Sequence, residues 1–243
     1  MKSSIQVISL FNLSLAFIPV IAVIVIHYLW SQGYKNSIYA ISRMLVQLLM
    51  IGYFLSYIFE SNNGLIIITV IAVMIIVASW ISLRTIRKKQ FLLYPKAFIS
   101  LLIGGGITLI IVTQFVLELT PWYLPSYFIP LAGMIFANAM NSVSLAADRL
   151  EAEIDRCVNY EQARNVAFRA SLIPIINSLF AVGLVSIPGM MTGQILSGIP
   201  PLIAARYQIM VMCMVFGAAG ISSACYLTLV KSEITQEERL TST

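Results

Sequence analysis

The sequence predicts an all-α, polytopic integral membrane protein, and three observations support that fold class. Hydrophobic residues make up 59% of the 243 residues, whereas charged residues make up only 10%. The mean hydropathy of +0.91 is far above that of soluble domains. Apolar runs long enough to cross a bilayer recur along the chain, separated by short polar segments. A soluble domain of this length is therefore excluded.

Seven apolar runs are predicted to cross the membrane as helices, each about 20 residues long. They cover residues 9–28, 38–59, 65–83, 97–117, 127–147, 172–196 and 207–230. The first run is preceded by no basic region beyond Lys2 and contains no small-residue cleavage site, so it is interpreted as a retained helix and not as a signal peptide. Pro19 is expected to kink this helix.

The orientation follows from the distribution of basic residues. The connection between the third and fourth runs holds Arg84, Arg87, Lys88, Lys89 and Lys96 and no acidic residue, which places it in the cytoplasm by the positive-inside rule. If the runs cross the membrane alternately from this connection, only 2 of the 15 basic residues lie outside. These two are Lys2, near the N-terminus, and Arg206, in the last external turn. The N-terminus is therefore predicted outside and the C-terminus in the cytoplasm. The net charge of +5 is explained by this asymmetry, and no nucleic-acid partner is expected.

Three consecutive glycines, Gly104 to Gly106, lie near the cytoplasmic end of the fourth run. Each glycine costs a helix about 1 kcal/mol relative to alanine, so the triplet needs a reason. Close approach of a neighbouring helix is favoured over a hinge.

The fifth run carries an unusual polar stripe. Asn138, Asn141, Leu145 and Asp148 are spaced by three, four and three residues, which places them on one face of a helix. Asparagine is costly in hydrocarbon unless it bonds to another helix or faces water. Interhelical hydrogen bonding and the lining of a path therefore remain two open interpretations.

Residues 186–198, SIPGMMTGQILSG, interrupt the sixth run with residues that a lipid-facing helix does not need. Pro188 cannot donate to the carbonyl of Leu184 and crowds it, so a helix must kink or break here. Irregular backbone at membrane depth is tolerated only where protein or a water-filled cavity covers it. This stretch is interpreted as the wall of a path or a moving gate, with a kinked packing helix as the alternative.

These observations define two candidate sets. The predicted substrate pathway comprises Asn138, Asn141, Asn177, Met190, Met191, Thr192 and Gln194. The predicted hinge or gate comprises Pro188, Gly189, Gly193 and Gly198.

Residues 148–171 form the longest polar segment between two runs. Acidic residues come early, arginines come late, and apolar residues recur at helical spacing. This pattern predicts one or two short amphipathic helices on the cytoplasmic surface. The mixed charge fits either a solvated face or the surface that a peripheral partner grips.

Three sequence stretches together resemble one known family. They are residues 138–150, NAMNSVSLAADRL; residues 171–178, SLIPIINS; and residues 188–198, PGMMTGQILSG, continuing to ARYQ at 205–208. They resemble the bacterial iron-export ABC transporter permeases, whose plant relatives are associated with aluminium tolerance. The resemblance is dense from Asn138 to Val230 and rests mainly on hydropathy before that.

The resemblance implies that residues 1–243 form one transmembrane permease domain, multi-pass in the bacterial inner membrane. It implies a homodimer that works with two copies of a separate ATPase subunit and exports iron or another metal. The chain contains no G-x-x-x-x-G-K-[ST] phosphate loop, so it is not expected to be an enzyme. ATP and Mg²⁺ are expected in the partner ATPase, and no cofactor is expected in this chain.

Segment 148–171 would then couple the ATPase to the fifth and sixth runs. The candidate coupling residues are Asp148, Arg149, Asp155, Arg156, Glu161, Arg164 and Arg169. ATPase closure would rock the two runs against each other, and the Pro188, Gly189 and Gly193 region would absorb the bend.

The residues leave the cargo open. No Asp or Glu lies within a run, the single His27 ends the first run, and Met190 and Met191 suit Cu(I) better than ferric iron, so the metal ligands stay unknown. The three cysteines have no C-x-x-C spacing, so neither a disulfide framework nor a zinc site is predicted. A small organic solute such as a nucleotide sugar fits an amide-lined path equally well. A seven-span receptor or scaffold is the remaining alternative, but not a retinal photoreceptor, because the last run has no lysine.

Overall fold

A computed structural model describes residues 8–31, 33–59, 63–86 and 90–241, and every regular element within them is a helix. The chain divides into two compact units, Met1–Ser61 and Asn62–Thr243. The single permease domain predicted over residues 1–243 stays a prediction.

In its described residues, the first unit contains three helices: α1 (Leu10–Leu15), α2 (Ile18–Leu29) and α3 (Tyr34–Phe59). The interruption between α1 and α2 follows from Pro19, which has no N–H to donate to the carbonyl of Leu15 and is well placed in the first turn of α2. His27 Nδ1 lies 3.0 Å from Ser37 Oγ, and this contact joins α2 to α3.

The part of the second unit that the structure describes contains six α-helices. They are α4 (Gly64–Ser82), α5 (Gln90–Ile110), α6 (Pro125–Ile154), α7 (Tyr160–Ala181), α8 (Gly189–Leu196) and α9 (Pro201–Thr241). A π-helical stretch, Ile111–Val116, prolongs α5. Asn63 and Asn159 cap α4 and α7 by accepting the backbone N–H of Leu65 and Gln162.

Helices α6 and α9 form the centre of the second unit. Helix α9 packs on α5, α6 and α7, and α6 also packs on α4, α5 and α7. Their buried faces are rich in alanine, including Ala132, Ala139 and Ala146 on α6 and Ala218 and Ala219 on α9. Small side chains let helix backbones approach closely, which is how helices gain packing energy in a membrane.

The glycine triplet has the predicted packing role at two of its three positions. A Cβ at Gly104 would lie 2.2 Å from Ser222 Oγ on α9, and a Cβ at Gly105 would lie 2.5 Å from a ring carbon of Phe136 on α6. A Cβ at Gly106 would meet only Leu102 Cδ1, at 4.0 Å. Gly104 and Gly105 therefore hold α5 against two different helices.

Six helical spans in the described ranges are long and apolar enough to cross a membrane. They are Leu10–Leu29, Tyr34–Phe59, Gly64–Ser82, Phe91–Val116, Pro125–Ile154 and Pro201–Glu233. They correspond to six of the seven predicted runs. The seven-span count is not confirmed, and the orientation of the termini stays a prediction.

The sixth predicted run, 172–196, is not one helix. Helix α7 ends at Ala181, residues 182–188 are not helical, and α8 has only eight residues. The break comes earlier than Pro188 because Gly183 adopts a left-handed φ of +82° and its N–H donates to the carbonyl of Ser186. Pro188 itself lies at the N-cap of α8, where the missing N–H costs nothing.

The polar segment 148–171 also differs from its prediction. It does not form separate short helices, because α6 continues to Ile154 and α7 already begins at Tyr160. Only residues 155–159 form a turn, in which Cys157 has a left-handed φ of 61°. At about 1.5 Å per residue, the 30 residues of α6 extend about 45 Å, more than the roughly 30 Å of a hydrocarbon core. Helix α6 is therefore longer than a hydrocarbon core is thick, and its charged residues lie in its last part, from Asp148 on.

Candidate functional site

A cavity of about 90 Å³, lined by both polar and apolar side chains, lies where α6, α7 and α9 meet. Its polar lining consists of Asn138, Asn141, Ser142, Ser171 and Ser178. Leu145, Pro174, Ile175 and Ala219 supply the apolar remainder. The cavity thus combines amide and hydroxyl groups without a charged side chain.

Two buried serines fix the position of α6 against α7. Ser142 Oγ donates to the backbone carbonyl of Ser171 at 2.8 Å, and both residues are almost fully buried. Ser171 Oγ donates in turn to the carbonyl of Phe168, also at 2.8 Å. Each hydroxyl therefore has a partner, and residue 142 of α6 lies level with residue 171 of α7.

The two asparagines on α6 both line the cavity, as the predicted stripe requires. Asn138 is half-buried, and its Nδ2 donates to the carbonyl of Met134 at 2.8 Å, within its own helix. Asn141 is exposed and has no hydrogen-bond partner among the described residues. Within those residues, neither amide bonds to a second helix, and the two interpretations of the stripe stay predictions.

Asn177 was predicted to share the path but does not line the cavity. It lies on the exposed surface of α7, one residue before Ser178, which does line it. Ser178 Oγ donates to the carbonyl of Pro174 at 3.0 Å. The structure therefore joins Asn138 and Asn141 in one site and leaves Asn177 beside it along the chain.

The remaining predicted pathway residues lie on α8, which packs against α9. Met190, Met191 and Gln194 are half-buried, whereas Thr192 is exposed and donates to the carbonyl of Pro188 at 3.2 Å. None of the four lines the cavity. Gln194 Oε1 is buried without a hydrogen-bond partner in the part of the chain described, and so is Oε1 of Gln208 on α9.

The predicted hinge residues differ in their need for glycine. Gly198 has a left-handed φ of +90°, which only glycine adopts without strain. Gly189 and Gly193 are helical, and no described atom lies within 4 Å of a Cβ added to either. Gly183, which the sequence analysis did not single out, has the other left-handed glycine conformation.

A charged cluster surrounds the turn at residues 155–159. Glu153, only 7% exposed, accepts from Arg149 at 2.6 Å and from Arg156 at 3.5 Å. Lys96 Nζ, in the second turn of α5, pairs with Glu233 Oε1 of α9 at 2.6 Å. These contacts stabilise the charged end of the second unit.

Tyr160, the first residue of α7, anchors the turn to α9. Its hydroxyl donates to the carbonyl of Leu227, and the ammonium of Lys231 lies 6.0 Å from the centre of its ring. Burial raises the pKa of Tyr160 above its ordinary value, and the opposing effect of Arg164 is smaller. The hydroxyl therefore stays protonated at neutral pH and remains a donor.

The predicted coupling residues lie in this turn and along the two helices that flank it, from Asp148 on α6 to Arg169 on α7. Asp148, Asp155, Arg156, Glu161 and Arg169 are exposed, and Arg149 and Arg164 are half-buried. Glu153 and Tyr160 were missed as members of the cluster. The spacing of Glu153 from Arg149 and Arg156 could have indicated the ion pairs, whereas nothing in the sequence indicates the contact of Tyr160 with Leu227.

No group of three or more His, Cys, Asp or Glu side chains is placed to hold a metal ion within the described residues. A larger open hollow of about 360 Å³ lies at the turn between α2 and α3 and contains none of the predicted site residues.

Comparison with known proteins identifies the family. The model of UPF0014, an uncharacterised protein family, matches residues 10–234. A UPF0014 membrane protein of Synechocystis is 34% identical over 87% of this chain and 85% of its own length. The probable iron export permease protein FetB of Escherichia coli is 32% identical over 90% of each chain. The protein ALUMINUM SENSITIVE 3 of Arabidopsis thaliana is 32% identical over 86% of this chain and 81% of its own.

No solved structure matches the chain. The family match covers nearly the whole sequence. The Synechocystis and E. coli relatives align over 85% and 90% of their own length, and their names describe a membrane protein and a permease. The chain therefore belongs to the UPF0014 family of membrane proteins.

Proposed function

We propose that this chain is the permease subunit of an ABC-type exporter that moves iron, or another metal, out of the cytoplasm. The observation that carries the proposal is its 32% identity to the E. coli probable iron export permease over nine tenths of both chains. In this proposal the chain forms a homodimer in the bacterial inner membrane. Two copies of a separate ATPase subunit bind ATP and Mg²⁺ and hydrolyse the nucleotide.

The cavity between α6, α7 and α9 is the proposed part of the substrate pathway. Its lining of amides and hydroxyls offers neutral oxygen ligands and no carboxylate. A hard cation stripped of water is usually held by carboxylates in a protein, so this lining favours a hydrated or complexed ion over a bare one. The cavity is thus suited to passage and not to tight storage.

The turn at residues 155–159 is the proposed coupling site. It joins α6 and α7, and both helices continue without a break from the turn to the cavity. Ser142 lies 12 residues before Ile154, which corresponds to about 18 Å of helix. A push on the turn would therefore move the cavity walls as rigid bodies, and α8 with its flanking loops would absorb the change.

The first test is ATP hydrolysis by the purified chain reconstituted with its candidate ATPase, with and without ferrous iron. We expect the two proteins to copurify and iron to stimulate hydrolysis. Loss of that stimulation in Asn141→Leu, with assembly intact, would link the cavity to transport. Failure of the two proteins to assemble would overturn the exporter proposal and favour a receptor or scaffold.

A small organic solute, such as a nucleotide sugar, is a second candidate cargo. The observation that favours it is the absence of any carboxylate among the residues lining the cavity in the described structure. Assembly with the ATPase but no response to iron would support this candidate. Stimulation of ATP hydrolysis by ferrous iron, with no organic solute present, would exclude an organic solute as the cargo.

A further inference from the structure

The three serines that line the cavity between α6, α7 and α9 all donate their hydroxyl hydrogen to a backbone carbonyl. They are Ser142, Ser171 and Ser178, and the acceptors are the carbonyls of Ser171, Phe168 and Pro174, at 2.8 to 3.0 Å. A hydroxyl has one hydrogen and two lone pairs, so an oxygen that has donated can only accept a further bond. The three serines therefore offer acceptors, and no donor, to whatever occupies the cavity.

Asn138 and Pro174 add to this excess of acceptors. Asn138 Nδ2 donates to the carbonyl of Met134 within α6 at 2.8 Å, so the amide oxygen Oδ1 is the atom turned away from the helix backbone. Pro174 lines the cavity inside α7 and has no N–H, so it cannot donate to the carbonyl of Ala170 as other helical residues would. Both helices thus bring lone pairs to this site.

The lining holds few groups that could balance these acceptors. Asn141 is its remaining amide, and rotation of that side chain presents either Oδ1 or Nδ2. The other lining residues are apolar, and no charged side chain is among them. A ligand that matches this cavity must therefore bring positive charge or its own hydrogens.

The size and the neutral lining of the cavity narrow the class of ligand. Its volume of about 90 Å³ equals roughly three water molecules at about 30 Å³ each, which admits a small ion with little water but no organic solute. Divalent ions are held in proteins mainly by carboxylates. A monovalent ion can exchange its water for neutral oxygens, as it does at the carbonyls of potassium channels. A single positive charge therefore fits this site best.

We propose that the cavity is a binding site for one partly dehydrated monovalent cation, K⁺ or Na⁺. Its ligands are Asn138 Oδ1 and the hydroxyl oxygens of Ser142, Ser171 and Ser178. The lining residues all belong to the second unit of a single chain. The inference goes beyond the proposed function, because it depends on neither the cargo nor the ATPase. The bound ion would tie α6 to α7 and stabilise the fold.

The test is binding of radioactive Tl⁺, a substitute for K⁺, to the purified full chain in detergent, measured by scintillation proximity. We expect saturable binding that K⁺ or Na⁺ displaces and that choline, a cation too large for the cavity, does not. Displacement by K⁺ at lower concentration than by Na⁺ identifies a potassium site, and the reverse order identifies a sodium site. Absence of saturable binding, or equal displacement by choline, overturns the proposal.

Ser178→Ala removes one proposed ligand and little else, because its hydroxyl bonds only within α7. The matched control is Thr69→Ala on α4, outside the cavity, where Oγ1 makes the same kind of bond to the carbonyl four residues earlier. We expect Ser178→Ala to weaken binding about tenfold, the usual effect of losing one bond to a charged group. Thr69→Ala should leave binding unchanged. Equal affinities in these two variants overturn the proposal.

Two variants at Asn138 separate ligation from a structural role. Asn138→Leu removes Oδ1 and should abolish binding. Asn138→Asp keeps an oxygen there and adds a negative charge, so binding should tighten about tenfold. The Tm of Asn138→Asp should also rise more steeply with K⁺ or Na⁺ than that of the unchanged protein, at ionic strength held constant with choline chloride. Binding weakened by Asn138→Asp overturns the assignment of Oδ1 as a ligand. These measurements use neither iron nor the ATPase, so the exporter proposal can fail while the cation site stands, and the reverse.

Discussion

Gly104 shows how a single missing methyl group determines helix packing in this protein. Replacement by alanine would place Cβ 2.2 Å from Ser222 Oγ and 2.6 Å from the Ser222 backbone nitrogen, so α5 and α9 would have to separate. We expect Gly104→Ala to destabilise the protein by about 1 to 3 kcal/mol, the usual cost of overpacking. Unfolding in a mixed-micelle denaturant titration measures the change.

Gly106→Ala is the matched control for that variant. The added methyl group would meet only Leu102 Cδ1 at 4.0 Å, and alanine favours the helix by about 1 kcal/mol. We expect Gly106→Ala to be neutral or stabilising. Equal destabilisation by the two variants would show that the triplet acts through backbone flexibility and not through packing.

Tyr160 links the turn at residues 155–159 to α9 through one hydroxyl group. Tyr160→Phe removes the bond to the Leu227 carbonyl and should cost about 1 kcal/mol of stability. Because the burial of the ring raises the hydroxyl's pKa, the bond persists as pH rises to 9, and stability differences between the two proteins should stay constant from pH 6 to 9. Thermal unfolding across that range is the measurement, and Tyr127→Phe, on the exposed surface of α6, is the control. A difference that vanished before pH 9 would contradict the assignment.

At the scale of elements, the break between α7 and α8 depends on Gly183. Its φ of +82° strains any residue with a Cβ, although no described atom within 4 Å would obstruct one. We expect Gly183→Ala to cost about 1 to 2 kcal/mol from backbone strain alone. Gly189→Ala, in helical geometry with open space, should not destabilise the protein. Paired denaturation of the two variants tests this.

The same pair of variants separates stability from motion. A large loss of iron-stimulated hydrolysis in Gly189→Ala, without loss of stability, would support the predicted hinge role of this residue. Destabilisation by Gly189→Ala as severe as by Gly183→Ala would contradict the position of the break.

The break also shows where sequence reasoning succeeds and where it fails. Pro188 indicated that no continuous helix spans residues 172–196, but α7 already ends at Ala181, seven residues before this proline. The left-handed turn at Gly183 depends on the backbone hydrogen bonds between Ala181 and Ser186. A glycine within an apolar run does not indicate whether such a turn forms. Asn138 and Asn141 were singled out because asparagine is rare in hydrocarbon, and both line the cavity. Ser142 and Ser171 were not singled out, because a serine can satisfy its hydroxyl within its own helix and is therefore not unusual in an apolar run.

At the scale of the whole molecule, the two ends of the second unit differ in the number of charged side chains that they carry. The turn at residues 155–159 presents Arg156 and Glu161 on the exposed surface, whereas Arg206 is exposed near the start of α9, at the opposite end. If the turn is the ATPase docking site, reversing its charges should weaken ATPase binding, because interfacial charge pairs become like-charge contacts. We expect Arg156→Glu combined with Glu161→Arg to abolish copurification of the ATPase, while Arg206→Glu leaves it intact.

The reversal at Arg206 makes this experiment a test of orientation as well. Arg206 is predicted outside, where no ATPase can reach it, so its reversal should leave both assembly and hydrolysis unchanged. Dependence of ATPase binding on Arg206 would place the start of α9 in the cytoplasm and invert the predicted topology. If the double variant still binds the ATPase, the turn at residues 155–159 is not the coupling site. The docking site would then have to lie on another cytoplasmic surface, and the charged ends of α6 and α7 would serve only to hold the helices together.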